Sequence, residues 1–232
     1  MKIISINVND FGGVNNHREE YKQLYRAYLK EWDKLDKSEN VNGILDCIIR
    51  YTPDIVILQE YDVNSKEAQS FCQEMAAHGY LLKSEVSTMK RPSMTVIYIK
   101  ESIDFNEIHV GHERNLRAYA IRTEDIIIYG THIPPKYDSQ FWTELHNFIR
   151  KHNSEKYILI GDFNTINYEN NRELEILLKN AVDVWKEKGN REPLSVAGDY
   201  VIISKKVDLE NVEIDTFDEN KTDHPVILVT IV

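Results

Sequence analysis

Four short apolar segments of this 232-residue chain run directly into side chains that can bind a metal ion or move a proton. These segments end in INVN at 6–9, ILQE at 57–60, YGTH at 129–132 and GDFN at 161–164. Short β-rich apolar runs are typical of strands covered on both faces. If these strands belong to one pair of packed sheets, their polar ends meet at a common rim.

Two more polar groups flank strands near the end of the chain. Asp199 begins an apolar segment, and Asp223 and His224 lead into the last one. An imidazole oriented by an aspartate is a common way to place a proton acceptor near neutral pH. Carboxylate and amide oxygens suit Mg²⁺ or Mn²⁺, since both ions prefer oxygen ligands.

The GDFN segment has a simpler interpretation as an ordinary turn, because Gly, Asp and Asn are common turn residues. The recurrence of polar groups at six strand ends favours a functional role instead. We therefore expect the strand at 157–160 to end tightly at Gly161. Asp162 and Asn164 would then point the same way, because alternate residues of an extended chain share a face.

Helices and strands alternate along both halves of the chain, and no linker or repeat separates them. The pattern predicts an α/β (α+β) fold, a four-layer sandwich of two packed mixed β-sheets flanked by helices. We expect residues 1–232 to form a single domain. An aromatic stripe at three- and four-residue spacing predicts a helical insertion around 17–37.

The composition narrows the class of protein. Hydrophobic residues make up 42% of the chain and charged residues 28%, which is typical of a globular domain. The net charge of −10 argues against non-specific coating of nucleic acid, although a local basic groove remains compatible with it.

The chain has no apolar run of membrane-spanning length and no secretory signal pattern, so we expect a cytoplasmic protein. Cys47 and Cys72 have no metal-ligand spacing and are predicted to be free thiols.

Taken in order, the motifs resemble those of the endonuclease/exonuclease/phosphatase superfamily. The motifs are SINVN, ILQE, GTH, GDFN, GDYVIIS and DHP, and the resemblance extends from Asn7 to Pro225. The resemblance implies a Mg²⁺- or Mn²⁺-dependent phosphoesterase that hydrolyses a phosphodiester by in-line attack of an activated water. A nuclease or a related phosphodiesterase, acting on a phosphate ester such as DNA or RNA, is the leading hypothesis.

The resemblance also assigns roles to individual residues. Glu60 resembles the principal metal ligand, with Asn7, Asn9 and Asp223 beside it. Five further residues resemble the catalytic set: His132, Asp162, Asn164, Asp199 and His224. In this set His132 contacts the phosphate, and Asp199 orients His224 and raises the pKa of its imidazole.

Two alternatives to this function stay open. The first is a phosphomonoesterase that acts on a small phosphorylated metabolite or a lipid headgroup. The second is a catalytically silent binding scaffold, which the complete set of motif residues disfavours. Arg91 and Arg117 are candidates for substrate binding, but solvated loop charges are an equally good interpretation of both.

Overall fold

The computed structural model describes residues 1–13, 36–90, 92–110, 116–188, 198–215 and 221–232. The strands in this part of the chain are β1 (Lys2–Asn7), β2 (Ile55–Tyr61), β3 (Tyr80–Lys83), β4 (Met94–Lys100), β5 (Asn106–Ile108), β6 (Ala118–Arg122), β7 (Ile127–His132), β8 (Tyr157–Asp162), β9 (Val182–Asp183), β10 (Asp199–Ile203), β11 (Leu209–Asp215) and β12 (Val226–Ile231). The helices are α1 (Ser38–Tyr51), α2 (Lys66–Ala77), α3 (Ser139–Lys151), α4 (Tyr168–Leu177) and α5 (Val184–Lys188), and a short 3₁₀ turn covers Asn9–Phe11.

The strands form two six-stranded sheets, in the orders β11-β12-β1-β2-β4-β3 and β5-β6-β7-β8-β10-β9. Each sheet has one parallel pair at its centre, β1 with β2 and β7 with β8, and its other pairs are antiparallel. Parallel strands end at the same edge, so their terminal residues lie side by side. Asn7 is in register with Gln59, and His132 with Asp162. The predicted motifs therefore share one edge of the two sheets.

Residue alternation along the central strands explains why the sheets stack with a helix layer outside each. Ile55 and Ile57 of β2 face the other sheet, whereas Val56 and Leu58 face the helices. In the same way, Ile158 and Ile160 of β8 pack between the sheets. Both faces of these strands are apolar because both are covered, and this confirms the predicted four-layer sandwich of two mixed sheets.

The outer helices cover the sheets with one apolar face each. Helices α1 and α2 pack on the first sheet, and α3 and α4 pack on the second. Side chains cap three of them: Ser65 accepts from the first turn of α2, Asp138 from that of α3 and Asn167 from that of α4. None of the described helices is long and apolar enough to cross a bilayer.

Some sequence-based boundaries differ from the structure. The strand predicted at 107–112 is the three-residue β5, and residues 111–115 are outside the described part of the chain. The short strand β9 and helix α5 were not predicted, because elements of two and five residues are too short to show a period. The helical insertion predicted around 17–37 falls mainly on residues 14–35, which lie outside the described residues.

Gly161 does not end β8, as the sequence had suggested, because the strand continues to Asp162. The structure gives a different reason for glycine. Its φ is +139°, and a Cβ at this position would lie 1.9 Å from the carbonyl oxygen of Thr131 on β7. Glycine is therefore required for close approach of two central strands, one residue before Asp162.

We expect Gly161→Ala to lower the free energy of unfolding by on the order of 3 kcal/mol, because it adds overpacking to backbone strain. Gly79→Ala is the matched control, since Gly79 has φ +78° and a Cβ there would meet nothing within 4 Å. Gly79→Ala should lower the free energy of unfolding by only about 1–2 kcal/mol, which is the cost of placing an L-residue in the left-handed conformation. Urea unfolding measures both variants, and equal losses would contradict the steric explanation.

Candidate active site

An aspartate–histidine pair lies where the first residue of β10 meets the loop before β12. The Nδ1 atom of His224 is 2.8 Å from Oδ2 of the buried Asp199. Burial alone would lower the pKa of His224, but Asp199, Asp162 and Asp223 together raise it to about 10. The imidazole is thus a cation at neutral pH, and Nε2 carries its second proton. The raised pKa agrees with the expectation from sequence.

Beside this pair, two carboxylates and a second imidazole converge from β2, β7 and β8. Glu60, His132 and Asp162 each offer one ligand atom, and the three atoms lie within 4.8 Å of one another. Nε2 of His132 is 3.5 Å from Oε1 of Glu60 and 3.6 Å from Oδ2 of Asp162. A divalent cation fits the chemistry of such a cluster.

Arg117 lies against the imidazole of His132 and favours one of its two neutral tautomers. Its Nη1 lies 2.8 Å from Nδ1 of His132 and 3.2 Å from Nε2. A guanidinium can only donate, so the shorter contact favours Nδ1 as the acceptor, and the carboxylates near Nε2 favour a proton on that atom. Burial, Arg117 and His224 hold the pKa of His132 well below its ordinary value. His132 is therefore neutral, and its Nε2–H points towards the two carboxylates.

Asp162 is buried and held by the loop that follows it. The backbone N–H of Asn164 donates to Oδ1 of Asp162 at 2.8 Å, and Nδ2 of Asn164 donates to Oδ2 at 3.1 Å and to the carbonyl of Ile133 at 2.8 Å. Burial raises the pKa of Asp162 to about 7, with Asp199 adding to the effect and His224 opposing it. This carboxylate can therefore exchange a proton near neutral pH.

Asn7, at the end of β1, lies between the Glu60 carboxylate and the imidazole of His224. Its Nδ2 donates to Oε1 of Glu60 at 3.3 Å and lies 3.4 Å from Nε2 of His224. Its Oδ1 accepts from the backbone N–H of Asn9 at 3.0 Å. The hydroxyl of Thr222 donates to the backbone carbonyl oxygen of Asn7. The amide nitrogen of Asn7 therefore faces the site.

The structure brings together most of the predicted site residues, namely Asn7, Glu60, Arg117, His132, Asp162, Asn164, Asp199 and His224. Asp223 lies at the edge, with Oδ1 4.0 Å from Nε2 of His224. Asn9 points elsewhere, because its Nδ2 donates to the carbonyl of Gly13. Arg91 is outside the described residues. Sequence reasoning missed Thr222, although its place beside the DHP motif was a usable signal.

Backbone strain is concentrated at this site. Among described non-glycine residues, six have positive φ, and five of them lie in or next to the site: Asn9, Asp10, Phe11, Glu60 and Asn164. Such conformations persist only where the surrounding structure holds them, and they are common at functional sites.

Comparison with known proteins identifies the family. Residues 40–224 match the sequence model of the Endonuclease/Exonuclease/phosphatase family. No curated protein sequence matches the chain significantly.

Solved structures with the same fold include an AP endonuclease from Archaeoglobus fulgidus, at 14% identity and a TM-score of 0.68, covering 100% of this chain and 99% of that chain. They also include TDP2 from D. rerio complexed with a single-strand DNA product, at 17% identity and a TM-score of 0.64, covering 100% and 98%. A third is the 3′ phosphatase NExo from Neisseria bound to a product DNA hairpin, at 15% identity and a TM-score of 0.64, covering 100% and 99%.

At these identities the structural likeness shows the fold alone, whereas the sequence match covers most of the chain. The chain belongs to the endonuclease/exonuclease/phosphatase family, whose members are metal-dependent hydrolases of phosphoester bonds.

Proposed function

We propose that this protein is a divalent-metal-dependent phosphodiesterase, a nuclease or a closely related enzyme. The observation that carries the proposal is the convergence of Glu60, His132 and Asp162 within reach of the His224–Asp199 pair. Phosphoryl transfer requires charge stabilisation and proton transfer. This site offers groups for both, because it combines carboxylates with one neutral and one cationic imidazole.

The residues present fit a hard divalent cation. Glu60, whose side chain is one-third exposed, offers carboxylate oxygens to the cation, whereas the buried Asp162 lies beside it and is assigned to proton transfer. Oxygen donors of this kind suit Mg²⁺ or Mn²⁺. When bound, such an ion neutralises phosphate charge and polarises the phosphoryl group towards attack.

The donors of the site surround the place where phosphate oxygens would develop charge. His132 presents Nε2–H, Asn7 presents its amide N–H, and His224 presents Nε2–H as part of a cation. These groups are fixed by neighbours before substrate binds, so they need little rearrangement during the reaction.

Proton transfer from the attacking water is better assigned to Asp162 than to His224. The sequence alone favoured the imidazole, but the pKa of His224 is raised to about 10, so the ring is already protonated at neutral pH. The pKa of Asp162 is raised to about 7, which lies near the working pH of a general base. In this scheme the attacking water gives its proton to Asp162 as the new P–O bond forms and the ester P–O bond breaks, and the leaving oxygen departs as an anion that solvent can protonate. His224 stabilises charge on the phosphoryl oxygens.

The test is a panel of phosphate esters assayed with Mg²⁺, with Mn²⁺ and with excess chelator. The panel contains bis-p-nitrophenyl phosphate, p-nitrophenyl phosphate, single-stranded and duplex oligonucleotides, and phosphocholine-containing lipid. We expect diester hydrolysis that requires the metal, and we expect Glu60→Gln to weaken Mn²⁺ binding by about 10–100-fold while the fold is kept, since the side chain is one-third exposed.

Glu173→Gln is the matched control, because Glu173 also contacts a histidine but lies on the α3–α4 surface. It should leave activity and Mn²⁺ affinity unchanged. Turnover of monoesters alone would establish the phosphomonoesterase instead. Activity that survives exhaustive chelation would refute the metal assignment.

A further inference from the structure

The segment after β1 forms an unusual left-handed turn. Asn9, Asp10 and Phe11 have φ values of 46°, 48° and 58°, and none of them is glycine. L-residues visit this region as single residues and seldom in succession, because the Cβ crowds the following carbonyl oxygen. Three in a row need specific contacts to hold them.

Several contacts hold the turn, among them a hydrogen bond from Nδ2 of Asn40 to the carbonyl oxygen of Phe11 at 2.8 Å. Phe11 is fully buried and packs against the rings of Tyr61 and Phe71, with centroid separations of 5.8 Å and 5.3 Å. Lys37 reaches the other side with a side chain that is only 5% exposed. Its Nζ donates to the carbonyl oxygen of Asp10 at 2.8 Å and pairs with Oδ2 of Asp10 at 2.7 Å.

The turn in its left-handed form orients the amide of Asn7. It directs the backbone N–H of Asn9 at Oδ1 of Asn7, at 3.0 Å. That bond fixes which end of the amide faces the site, so Nδ2 points towards Glu60 and His224. A flipped amide would place Oδ1 against the Glu60 carboxylate and would remove a donor from the phosphate position.

We propose that Lys37 is a positioning residue, which holds the turn at residues 9–11 and thereby fixes the orientation of the Asn7 amide. It acts through Asp10 and the Asn9 N–H and touches no substrate. The effect on catalysis rests on the proposed function, whereas the effect on the Asn7 amide does not.

A purely structural ion pair would give a different result. Breaking a buried pair leaves one charge without compensation, so Lys37→Met alone mixes a stability loss with any loss of positioning. The double variant Lys37→Met/Asp10→Asn leaves no uncompensated charge, so we expect it to be more stable than Lys37→Met, while the bonds from Lys37 to the turn stay absent.

Lys100→Met is the matched control. Nζ of Lys100 donates to the carbonyl of Thr52 at 3.1 Å and lies 3.6 Å from Oδ1 of Asp54. Thr52 has a left-handed backbone conformation, with φ 44°, so Lys100 makes the same kinds of contact to a left-handed residue, with a side chain that is 31% exposed. Lys100 ends β4, which runs antiparallel to β2, so it lies at the sheet edge opposite Glu60.

The experiment combines steady-state kinetics on bis-p-nitrophenyl phosphate with ¹H–¹⁵N spectra of the side-chain amides, in which Asn7→Asp identifies the Asn7 signals. For the double variant we expect kcat to fall by about 10–100-fold with KM within about twofold, because a displaced group costs rate more than binding. The Asn7 amide signals should shift or broaden. Both readouts should stay at wild-type values in Lys100→Met.

Unchanged Asn7 signals in a folded double variant would overturn the proposal, and so would an equal loss of kcat in Lys100→Met. If the wild type hydrolysed no phosphate ester, the proposed function would fail. The Asn7 signals would still decide whether Lys37 positions the amide.

Discussion

Replacing His224 with alanine is expected to lower kcat by about 10²–10³-fold, the range typical of removing one preorganised hydrogen-bond donor to developing charge. The reason is the loss of a cationic donor whose pKa is raised to about 10 by its carboxylate neighbours against the effect of burial. Asp199→Asn should cost a similar factor, because an amide neither favours the charged ring nor fixes its orientation. Since the two residues act as a unit, the double variant should be scarcely slower than either single variant.

The pH profile separates a cationic role for His224 from a basic one. In Asp199→Asn the pKa of His224 should fall, so the ring loses its charge at alkaline pH. The ratio of variant to wild-type kcat should therefore be higher at pH 6 than at pH 8.5. A ratio that instead rises with pH would show that the neutral imidazole is the active form.

A second histidine–carboxylate pair provides the control for the single and double variants of Asp199 and His224. Nε2 of His146 lies 2.9 Å from Oε2 of Glu173, away from the site. His146→Ala should leave kcat within about twofold of wild type, in line with surface changes of small effect. Losses that multiply in the Asp199/His224 double variant would show that the two residues work independently.

Replacing Asp162 with asparagine should have opposite effects on activity and stability. We expect kcat to fall by about 10²–10⁴-fold, because the proposed proton acceptor is lost. In chelator, the free energy of unfolding should rise by a few kcal/mol at pH 8. Burial and Asp199 raise the pKa of Asp162 from 3.8 to about 7, so ionisation of this carboxylate works against the folded state.

The gain in unfolding free energy expected for Asp162→Asn depends on pH, because the pKa of Asp162 is raised in the folded state. A carboxyl group whose folded pKa is raised stabilises the fold at low pH, and this contribution is lost as pH rises through the folded value. The advantage of Asp162→Asn should therefore grow between about pH 4 and pH 7 and be constant above that. Chemical denaturation at pH 5 and pH 8 measures it, and an equal change at both values would contradict the raised pKa. Mn²⁺ should stabilise the wild type more than the variant.

The sequence predicted the layers and the edge that carries the site, because both depend on local patterns. Apolar runs such as 55–58 and 157–160 show no polar alternation, and this correctly indicated strands covered on both faces. The residues that converge at the site were predicted from the polar groups that follow those runs.

The remaining features depend on contacts between distant residues, which no local pattern encodes. Nothing near Arg117 shows that it will contact His132 and favour one of its tautomers. The left-handed turn at residues 9–11 is held partly by Lys37, which is far along the chain. The prediction that Gly161 ends its strand was wrong. Glycine is needed there because the carbonyl oxygen of Thr131, on the neighbouring strand, leaves no room for a Cβ.

The place of β1 between β2 and β12 has a consequence for how the protein is made. β1 is synthesised long before β12, one of its two partners, since Asn7 and His224 are 217 positions apart. Until β12 emerges from the ribosome, β1 is an apolar edge strand with unpaired backbone groups, open to wrong pairing with other chains. Because His224 lies directly before β12, completion of the candidate site and protection of that edge depend on the same segment of the nascent chain.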